Sequence, residues 1–477
     1  MTKIEADIVV LGAGPGGYAA AFYAATKGRK VLLIEKDSRL GGVCLNRGCI
    51  PSKALLHATA LLSEAKESAH WGIDFGSPKI NLEKMRVWKE SILSKLSDGI
   101  RGLAKRRQVE VMQGRGHFEG NNVLRLETEE GQKFIHYNKV ILAVGSSPAL
   151  PGVFDLGNKR IMTSTEALEL EEIPETLLVV GGGYIGMELG TVYSELGSKV
   201  TVVEAMDSIL AGADADLARP VQEYAKKNFK EVRVKAKVMK MATAGKQIKV
   251  IMEYEGKKLE EVYDRVLVSV GRVPNTGDLG LKSTSVQLDA KGFIKVNSMQ
   301  QTDDPDIYAI GDVVGGLMLA HKASKEARVA VDRITGGHSV FEDVVIPAVV
   351  FTNPEVAWCG LTEAEARKRN IPVDVVKFPW AASGRAMTLD RTDGLTKLIV
   401  EPETERILGV GMVGVGAGDM IAEGVVAVEM GATARDLAEC VHPHPTLSET
   451  LQEAAEMFYG HSSHAYSRPR EHADQTA

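Results

Sequence analysis

Two cysteines in the segment GGVCLNRGCIPSK have the spacing and the neighbours needed for redox chemistry. Cys44 and Cys49 lie between a glycine pair and a proline, and Lys53 follows them. A helix start lowers the pKa of a thiol, which would make either cysteine available as a thiolate. Gly48 and Pro51 would allow the first turn to distort, so that the two sulfur atoms can meet. The segment therefore predicts a redox-active disulfide.

A zinc site and a pair of buried structural thiols are the alternatives for these cysteines. A structural zinc site typically requires four ligands. The sequence offers no second close cysteine pair, since Cys359 and Cys440 are isolated, and no histidine pair near enough to fold in. Structural thiols would not explain why both cysteines begin one apparent helix beside glycines and a proline. We therefore predict no metal site.

A second segment whose residues could take part in catalysis is VHPHPTLSET, residues 441–450, in which His442 and His444 alternate with prolines. Pro445 holds the residue before it in an extended conformation, so the His444 imidazole is presented rather than folded into a helix. Glu449 falls early in the following helix, where its carboxylate could orient one ring nitrogen. The spacing favours a general base, with two surface histidines in a proline-rich loop as the alternative.

The elements that position these residues include a pattern that occurs twice. DIVVLGAGPGGYAAAFYAATKGRKVLLIEKD and TLLVVGGGYIGMELGTVYSELGSKVTVVEAMD both indicate a strand, a glycine turn, a helix and a second strand. The glycines permit a tight turn and a close approach of backbone amides to a pyrophosphate. An acidic residue at the end of the second strand accepts a hydrogen bond from a ribose hydroxyl. Because both copies have the acid at the same spacing, we predict two dinucleotide sites, formed by Gly12, Gly14, Gly17 and Glu35 and by Gly181, Gly183, Gly186 and Glu204.

The identity of each cofactor follows from the neighbours of the two fingerprints. At Glu204 a carboxylate suits a free 2′-hydroxyl and repels a 2′-phosphate, and the adjoining EAMDS supplies no cation for that phosphate. NAD is therefore favoured over NADP at the second site. Electrons that pass through a thiol pair require a flavin, and the cysteine pair follows the first fingerprint. We therefore predict a tightly held FAD at the first site and an exchanging NAD at the second.

Composition and charge exclude several classes of protein. The chain has 477 residues, of which 44% are apolar and 25% charged, and a net charge of −6 that argues against a broad nucleic-acid surface. No apolar run approaches the ~20 residues of a membrane span, and the N-terminus runs directly into a predicted strand without a signal peptide. Four cysteines are too few for a disulfide-stapled secreted scaffold. We expect a cytoplasmic protein.

The predicted fold class is α/β, with two Rossmann-like dinucleotide-binding domains followed by a C-terminal α+β dimerisation domain. The pattern of predicted elements changes at about residue 346, where strands with alternating apolar and polar residues begin and helices follow. The histidines of the polar C-terminus, including His464 and His472, have no partner by spacing and are expected to be solvated. The predicted divisions are 1–150 for FAD binding (completed by about 275–345), 151–274 for NAD binding, 346–460 for dimerisation and 461–477 as a flexible tail.

Several segments resemble a known family. GGVCLNRGCIPSKALLH is similar to the active-site segment of the dihydrolipoamide dehydrogenases, which belong to the pyridine nucleotide–disulfide oxidoreductase family, and VHPHPTLSET resembles their C-terminal catalytic segment. GGGYIGMELG, VGRVPNT and YAIGDV match further family segments, and the resemblance extends from about residue 5 to 460. It implies that Cys44 is the interchange thiol that meets the substrate, and that Cys49 is the charge-transfer thiol against the flavin. It also selects His444, oriented by Glu449, as the base.

The resemblance implies further roles near the cofactors. Lys53 and Glu188 match the family's ion pair near the flavin ring, and Asp312 matches the acid that binds the ribityl chain. Arg47 and Pro443 depart from the residues common in the family, and Arg47 adds a charge beside the disulfide. The predicted cofactor-binding set is completed by Gly116, Ala320 and Gly271.

The activity that the resemblance implies is oxidation of protein-bound dihydrolipoamide. The substrate reduces the Cys44–Cys49 disulfide, the dithiol reduces FAD, and NAD becomes NADH. The implied partners are a second copy, with His444 of one chain over Cys44 of the other, and a lipoyl carrier. That carrier would be the acyltransferase subunit of a 2-oxo acid dehydrogenase complex or the carrier of glycine cleavage. The alternatives are a related flavin disulfide reductase for another substrate (glutathione, a bis-thiol or mercury) and a flavin-bearing scaffold without turnover.

Overall fold

The computed structural model describes residues 3–120 and 122–468, and its N-terminal part is built on a largely parallel sheet. In chain order the elements are β1 (Lys3–Leu11), α1 (Pro15–Thr26), β2 (Val31–Glu35), α2 (Gly42–Arg47), α3 (Cys49–Glu67), α4 (Leu82–Arg106), β3 (Glu110–Gln113), β4 (Arg115–Gly120), β5 (Val123–Thr128), β6 (Gly131–Leu142) and β7 (Ser146–Pro148). The sheet order is β3-β2-β1-β6-β5-β4. Strand β2 is buried along its whole length. Its sequence, VLLIE, accordingly starts with four consecutive apolar residues instead of alternating apolar and polar ones.

A second parallel sheet follows. Its region contains β8 (Ile161–Met162), α5 (Ser164–Glu169), β9 (Thr176–Val180), α6 (Tyr184–Glu195), β10 (Lys199–Val203), α7 (Ala215–Asn228), β11 (Glu231–Arg233), β12 (Lys237–Ala244), β13 (Gln247–Tyr254), β14 (Lys257–Tyr263), β15 (Arg265–Val268) and β16 (Arg272–Pro274). The five parallel strands have the order β11-β10-β9-β15-β8, and β12, β13 and β14 form a separate antiparallel sheet. Strand β16 pairs with β7, which connects the two regions.

The chain then returns to the first sheet. Strand β17 (Ile307–Ala309) pairs in parallel with β6. Helix α8 (Ala320–Ile334) follows, and its Ala327 and Ala330 share one buried cluster with Ala20 and Ala24 of α1. Small side chains at this contact allow the two helices to approach closely. This return brings the start of α8 to the same end of the sheet as the glycine turn after β1.

The C-terminal part is an antiparallel sheet with helices. Its elements are β18 (Ala348–Val350), β19 (Val356–Gly360), α9 (Glu363–Arg369), β20 (Asp374–Pro379), α10 (Gly384–Thr388), β21 (Leu395–Val400), β22 (Ile407–Val413), α11 (Ala417–Glu429), α12 (Ala434–Glu439) and α13 (Glu449–Tyr459). The strand order is β18-β19-β22-β21-β20. Short 3-10 helices occupy Ser68–Trp71, Leu281–Ser283, Gly311–Val314 and Trp380–Ala382. Two doubly wound parallel sheets followed by an α+β unit confirm the predicted fold class.

The residues after α13 fold back onto that helix. Ser467 Oγ donates a hydrogen bond to the Met457 carbonyl at 2.7 Å, and His464 Nδ1 lies 2.5 Å from Glu453 Oε1. The expectation that His464 has no partner is therefore wrong, because its partner lies on the preceding helix rather than nearby in the sequence. His472 and the rest of 469–477 lie outside the described residues. Across 3–120 and 122–468, no helix is long and apolar enough to cross a membrane.

A buried group of charges fastens α7 to the C-terminal sheet. Lys397 Nζ lies 2.6 Å from Asp214 Oδ2 and 2.8 Å from Asp216 Oδ1, and only 1% of the Lys397 side chain is exposed. Lys377 Nζ lies 2.7 Å from Asp216 Oδ2, and Asp214 also accepts the Glu363 N–H at 3.0 Å. Burial opposes ionisation of Asp216, but hydrogen bonds from Lys377 and Lys397 hold its pKa below the ordinary value. The network therefore holds the Asp216 carboxylate in the charged form.

We expect Lys397→Met to destabilise the protein by about 3–5 kcal/mol, because it leaves two carboxylates buried without their shared cation. Urea unfolding followed by circular dichroism measures the change. Lys199→Met is the matched control, because Lys199 pairs with Glu175 at the surface, where 63% and 75% of the two side chains are exposed. That substitution should cost at most about 1 kcal/mol. Equal unfolding midpoints for the two variants would contradict the role of the buried network.

Candidate active site

The first glycine turn connects β1 to α1 and requires glycine at two positions. Gly12 has a φ of +101°, and a Cβ there would lie 2.4 Å from the Ala143 carbonyl oxygen. A Cβ on Gly17 would lie 1.8 Å from the Gly12 oxygen. Helix α1 begins at Pro15, and its N-cap residue, Gly14, supplies no side-chain hydrogen bond. No N-cap side chain therefore occupies the first N–H groups of the helix, and Gly14 and Gly16 line the cavity, as in sites that bind pyrophosphate.

Glu35 braces this turn from the end of β2. Its Oε2 atom accepts the Ala13 N–H at 2.7 Å, and its Oε1 atom accepts the Asp37 N–H at 3.1 Å. Burial raises the pKa of Glu35, although both backbone hydrogen bonds oppose the shift. The predicted ribose-binding acid thus has a second task, holding the loop, which the sequence pattern alone does not reveal.

The second glycine turn, between β9 and α6, repeats this construction. A Cβ on Gly181 would lie 2.4 Å from the Ser269 carbonyl oxygen, and one on Gly186 would lie 2.1 Å from the Gly181 oxygen. Glu204 Oε2 accepts the Gly182 N–H at 2.6 Å. The predicted residues that meet at this turn are Gly181, Gly183, Gly186 and Glu204.

A cavity of about 710 Å³ extends along the first sheet, a volume typical of cofactor sites. The glycine turn stands on its wall together with the cysteine pair, so the residues present fit a bound dinucleotide whose reactive part lies beside the thiols. Other predicted residues lie outside it: Gly17 beneath the turn, the four residues of the second turn, Gly271 between β15 and β16, and the pair His444 and Glu449. The predicted residues that line the cavity are Gly12, Gly14, Glu35, Cys44, Cys49, Lys53, Gly116, Glu188, Asp312 and Ala320.

The two cysteines flank a break in the helix. Gly48 has φ −149° and ψ −111°, so it separates α2 from α3, whereas the sequence suggested one helix with a distorted start. Both cysteines are free thiols in the structure, and their side chains hydrogen-bond to each other. Cys44 is half-buried, and Cys49 is exposed on the cavity wall. The break therefore brings the sulfur atoms together, as the predicted redox pair requires.

The two thiols differ in their readiness to ionise. The hydrogen bond to Cys49, followed by burial, raises the pKa of Cys44. The same hydrogen bond lowers the pKa of Cys49; burial opposes this shift, and the positive charge of Lys53 adds to it. In the dithiol form, Cys49 is therefore the thiolate and Cys44 the thiol. This asymmetry arises from position alone, since the residues are chemically identical.

Lys53 is held by a bidentate ion pair with Glu188, a residue of α6. The Lys53 Nζ atom lies 2.9 Å from Glu188 Oε1 and 2.7 Å from Oε2. The Glu188 side chain is 3% exposed and also accepts hydrogen bonds from Ser52 Oγ at 2.8 Å and from the Phe351 N–H at 3.1 Å. The predicted pair therefore joins the redox helix α3 to the second nucleotide-binding region and to β18.

Two cavity residues were not singled out from the sequence. Ser146 Oγ donates to Asp312 Oδ2 at 2.5 Å, and Arg272 Nε donates to Ser146 Oγ at 2.7 Å. Arg272 lies in VGRVPNT, one of the segments that resembles the family, so the resemblance could have identified it. Ser146 carries no such signal, because its importance comes from the pairing of β7 with β16.

The two histidines of the proline-rich segment have different environments. The His442 side chain is 7% exposed, and its Nε2 atom lies 2.7 Å from Glu423 Oε1. The His444 side chain is 73% exposed, and its Nδ1 atom lies 2.8 Å from Glu449 Oε1. Burial opposes ionisation of Glu449, but hydrogen bonds from the Thr446 N–H and from His444 hold its pKa below the ordinary value. Of these two histidines, His442 has a partner on its Nε2 atom, whereas the contact described for His444 is on Nδ1 and leaves Nε2 available.

Two nucleotide-binding folds, a polarised thiol pair and an exposed His–Glu pair together define a flavin- and nicotinamide-dependent disulfide oxidoreductase. Residues 6–327 match the family described as pyridine nucleotide-disulphide oxidoreductase, and residues 346–455 match the dimerisation domain of that family. The chain belongs to the pyridine nucleotide-disulphide oxidoreductase family.

Known relatives and structures agree with this assignment. A dihydrolipoyl dehydrogenase of Vibrio parahaemolyticus is 45% identical over 96% of each chain. The structure of LpdA from Mycobacterium tuberculosis is 30% identical, with a TM-score of 0.87 over 94% of this chain and 99% of its own. The HOCl-induced flavoprotein disulfide reductase RclA from Escherichia coli is 28% identical, with a TM-score of 0.85 over 96% of this chain and 100% of its own. These similarities confirm the predicted enzyme class and its cofactors, FAD and NAD.

We expect Cys44→Ser to leave Cys49 as a thiolate beside the flavin, and so to produce a long-wavelength charge-transfer absorbance that Cys49→Ser lacks. The absorbance should disappear as the pH falls, because protonation removes the thiolate. The midpoint should lie below the ordinary pKa of a cysteine, because the serine hydroxyl can replace the hydrogen bond from Cys44, the largest cause of the lowered pKa, and the positive charge of Lys53 adds to it. Adding Lys53→Met should raise the midpoint. Identical spectra for the two cysteine variants would contradict the difference between the thiols.

Proposed function

We propose that the chain is a dihydrolipoamide dehydrogenase, which oxidises dihydrolipoamide to lipoamide and reduces NAD to NADH. The observation that carries the proposal is the polarised pair of Cys44 and Cys49 on the wall of the cofactor cavity. The names of the curated relatives support dihydrolipoamide as the thiol substrate.

Cys44 is proposed as the sulfur that the substrate attacks. A substrate thiolate attacks Cys44 Sγ, the Cys44–Cys49 bond breaks, and Cys49 leaves as a thiolate. The second substrate sulfur then attacks the mixed disulfide, forms lipoamide and releases Cys44, which takes up a proton. A leaving thiol with a lowered pKa departs faster, so the low pKa of Cys49 suits this order.

His444 is proposed as the base that prepares the substrate thiol. Its Nε2 atom accepts the proton, and Glu449 on Nδ1 holds the ring and stabilises the imidazolium. The contact between the Thr446 N–H and Glu449 fixes the carboxylate in turn. His442 is unsuited to this task because it is buried against Glu423.

The cofactor residues act by binding and by charge. Bound FAD would supply an acceptor for the electron pair of the dithiol and a hydride donor for NAD. The Lys53 ammonium stabilises the Cys49 thiolate, and Glu188 keeps that ammonium in place. The residues proposed to hold FAD are Gly12, Gly14, Gly17, Glu35, Gly116, Asp312 and Ala320, and those proposed for NAD are Gly181, Gly183, Gly186, Glu204 and Gly271.

The base and the thiols are proposed to meet across a homodimer. His444 does not line the cavity that contains Cys44, and it lies within the residues that match the family's dimerisation domain. In the cell, we propose a cytoplasmic enzyme. Its lipoyl substrate would be carried by the acyltransferase subunit of a 2-oxo acid dehydrogenase complex or by the carrier of glycine cleavage.

A flavin disulfide reductase with another substrate is the second candidate, supported by the structural similarity to RclA. Rapid-mixing absorbance measurements distinguish the two. Dihydrolipoamide should reduce the bound flavin quickly, whereas reduced glutathione should not. Rapid reduction by glutathione with none by dihydrolipoamide would favour the second candidate.

We expect His444→Gln to slow flavin reduction by dihydrolipoamide about 100- to 10,000-fold, the range for loss of a general base. Flavin reduction by NADH should be nearly unchanged, because that half-reaction does not use the base. His338→Gln is the control, since His338 is an exposed histidine beside a carboxylate, Asp332, and does not line the cavity. Equal losses in both half-reactions would indicate a structural role for His444.

A mixture of Cys44→Ser and His444→Gln chains tests the shared site. A hybrid dimer should pair one intact cysteine with one intact histidine in one of its two sites. Random exchange makes about half of the dimers hybrid, so activity should recover to roughly a quarter of wild type. If each chain formed its own site, every site would lack one group. An inactive mixture that contains hybrids by mass spectrometry would rule out the shared site.

A further inference from the structure

Arg47 and Asp37 form an ion pair on the wall of the cofactor cavity, and the proposed reaction does not use it. The Arg47 Nη2 atom lies 2.5 Å from Asp37 Oδ2. The two side chains are 36% and 33% exposed, and both residues line the cavity. The charge that Arg47 brings to the redox segment is therefore balanced by Asp37 rather than left beside the disulfide.

The two partners come from two segments that both contact the glycine turn. Asp37 follows β2, and its N–H donates to Glu35, the acid that braces the turn. Arg47 is the last residue of α2, a helix that starts against the turn: a Cβ on Gly42 would lie 2.6 Å from the Gly14 Cα. The ion pair therefore connects the end of β2 to the end of α2 along the nucleotide-binding part of the cavity.

We propose that this ion pair is a clasp that retains FAD. It holds α2 against the end of β2, and it must open before the nucleotide end of the cofactor can leave. Arg47 and Asp37 are thus positioning residues, which act through the walls of the site. The clasp concerns cofactor binding alone and does not depend on which thiol the enzyme oxidises.

The clasp should affect cofactor release more than folding. A partly exposed ion pair contributes little to the stability of a folded chain. In the proposed clasp, however, the Arg47–Asp37 contact has to break each time FAD dissociates, which adds a step to its release. A change in the rate of flavin release without a change in thermal unfolding would therefore distinguish a clasp from a general structural role.

The test measures the release of FAD from diluted holoenzyme by the fluorescence of the free flavin. We expect Arg47→Val and Asp37→Asn each to release FAD about two- to fivefold faster, the consequence of losing a partly exposed ion pair. Arg47→Lys, which keeps the charge, should release it more slowly than Arg47→Val. The exchanged pair, Asp37→Arg with Arg47→Asp, should recover most of the wild-type rate.

Arg39→Val is the matched control. Arg39 pairs with Glu90, and neither residue lines the cavity, so its release rate should equal that of wild type. Release at the wild-type rate from both Arg47→Val and Asp37→Asn would overturn the proposal. An exchanged pair that releases FAD as fast as the single variants would overturn it as well, because Arg47 would then act without Asp37. Since the measurement uses no thiol substrate, failure to oxidise dihydrolipoamide would not alter its outcome.

Discussion

The hydrogen bond between Cys44 and Cys49 is the interaction on which the chemistry of this protein depends. Two identical thiols become an ionised one and a protonated one because the hydrogen bond between them raises the pKa of Cys44 and lowers that of Cys49. Both cysteines line the cavity, and the proposed exchange of Cys44 with substrate uses this difference between the two thiols.

The rest of the fold serves to keep this asymmetry in place. The conformation of Gly48 ends α2 and allows α3 to begin at Cys49. Lys53 stays close to the thiolate because Glu188 binds its ammonium from α6, and because Ser52 and Phe351 hold Glu188 in turn. The contacts of one buried carboxylate thus involve the redox helix, the second nucleotide fold and the C-terminal sheet.

The sequence locates candidate site residues where the signal is local. The two glycine turns and their acids were predicted by residue number, because a tight turn beside a helix start restricts the allowed residues within a short segment. The cysteine pair was predicted for the same reason. The complete helix break at Gly48 was not predicted, since the spacing suggested only a distorted first turn.

Long-range contacts lay beyond the sequence pattern. Spacing alone left His442 and His444 equivalent, whereas burial against Glu423 separates them in the structure. The contact of Ser146 with Asp312 depends on a strand pairing between distant segments. His464 is 58% exposed, as expected of a solvated side chain, but the fold also supplies it with a partner, Glu453, that spacing does not reveal. The roles of the individual site residues remain predictions that the proposed variants can test.

The bracing of each glycine turn by its own acid has a consequence for cofactor exchange. Glu35 and Glu204 already hold their loops through backbone N–H groups, so the entropy of ordering those loops is lost during folding rather than during binding. Each carboxylate oxygen keeps a second lone pair for a ribose hydroxyl. Two turns that are equally prepared cannot by themselves make one nucleotide permanent and the other transient. The proposed difference between a tightly held FAD and an exchanging NAD must therefore come from enclosure. The first turn lies on the wall of the cavity of about 710 Å³, whereas the second turn lies outside it.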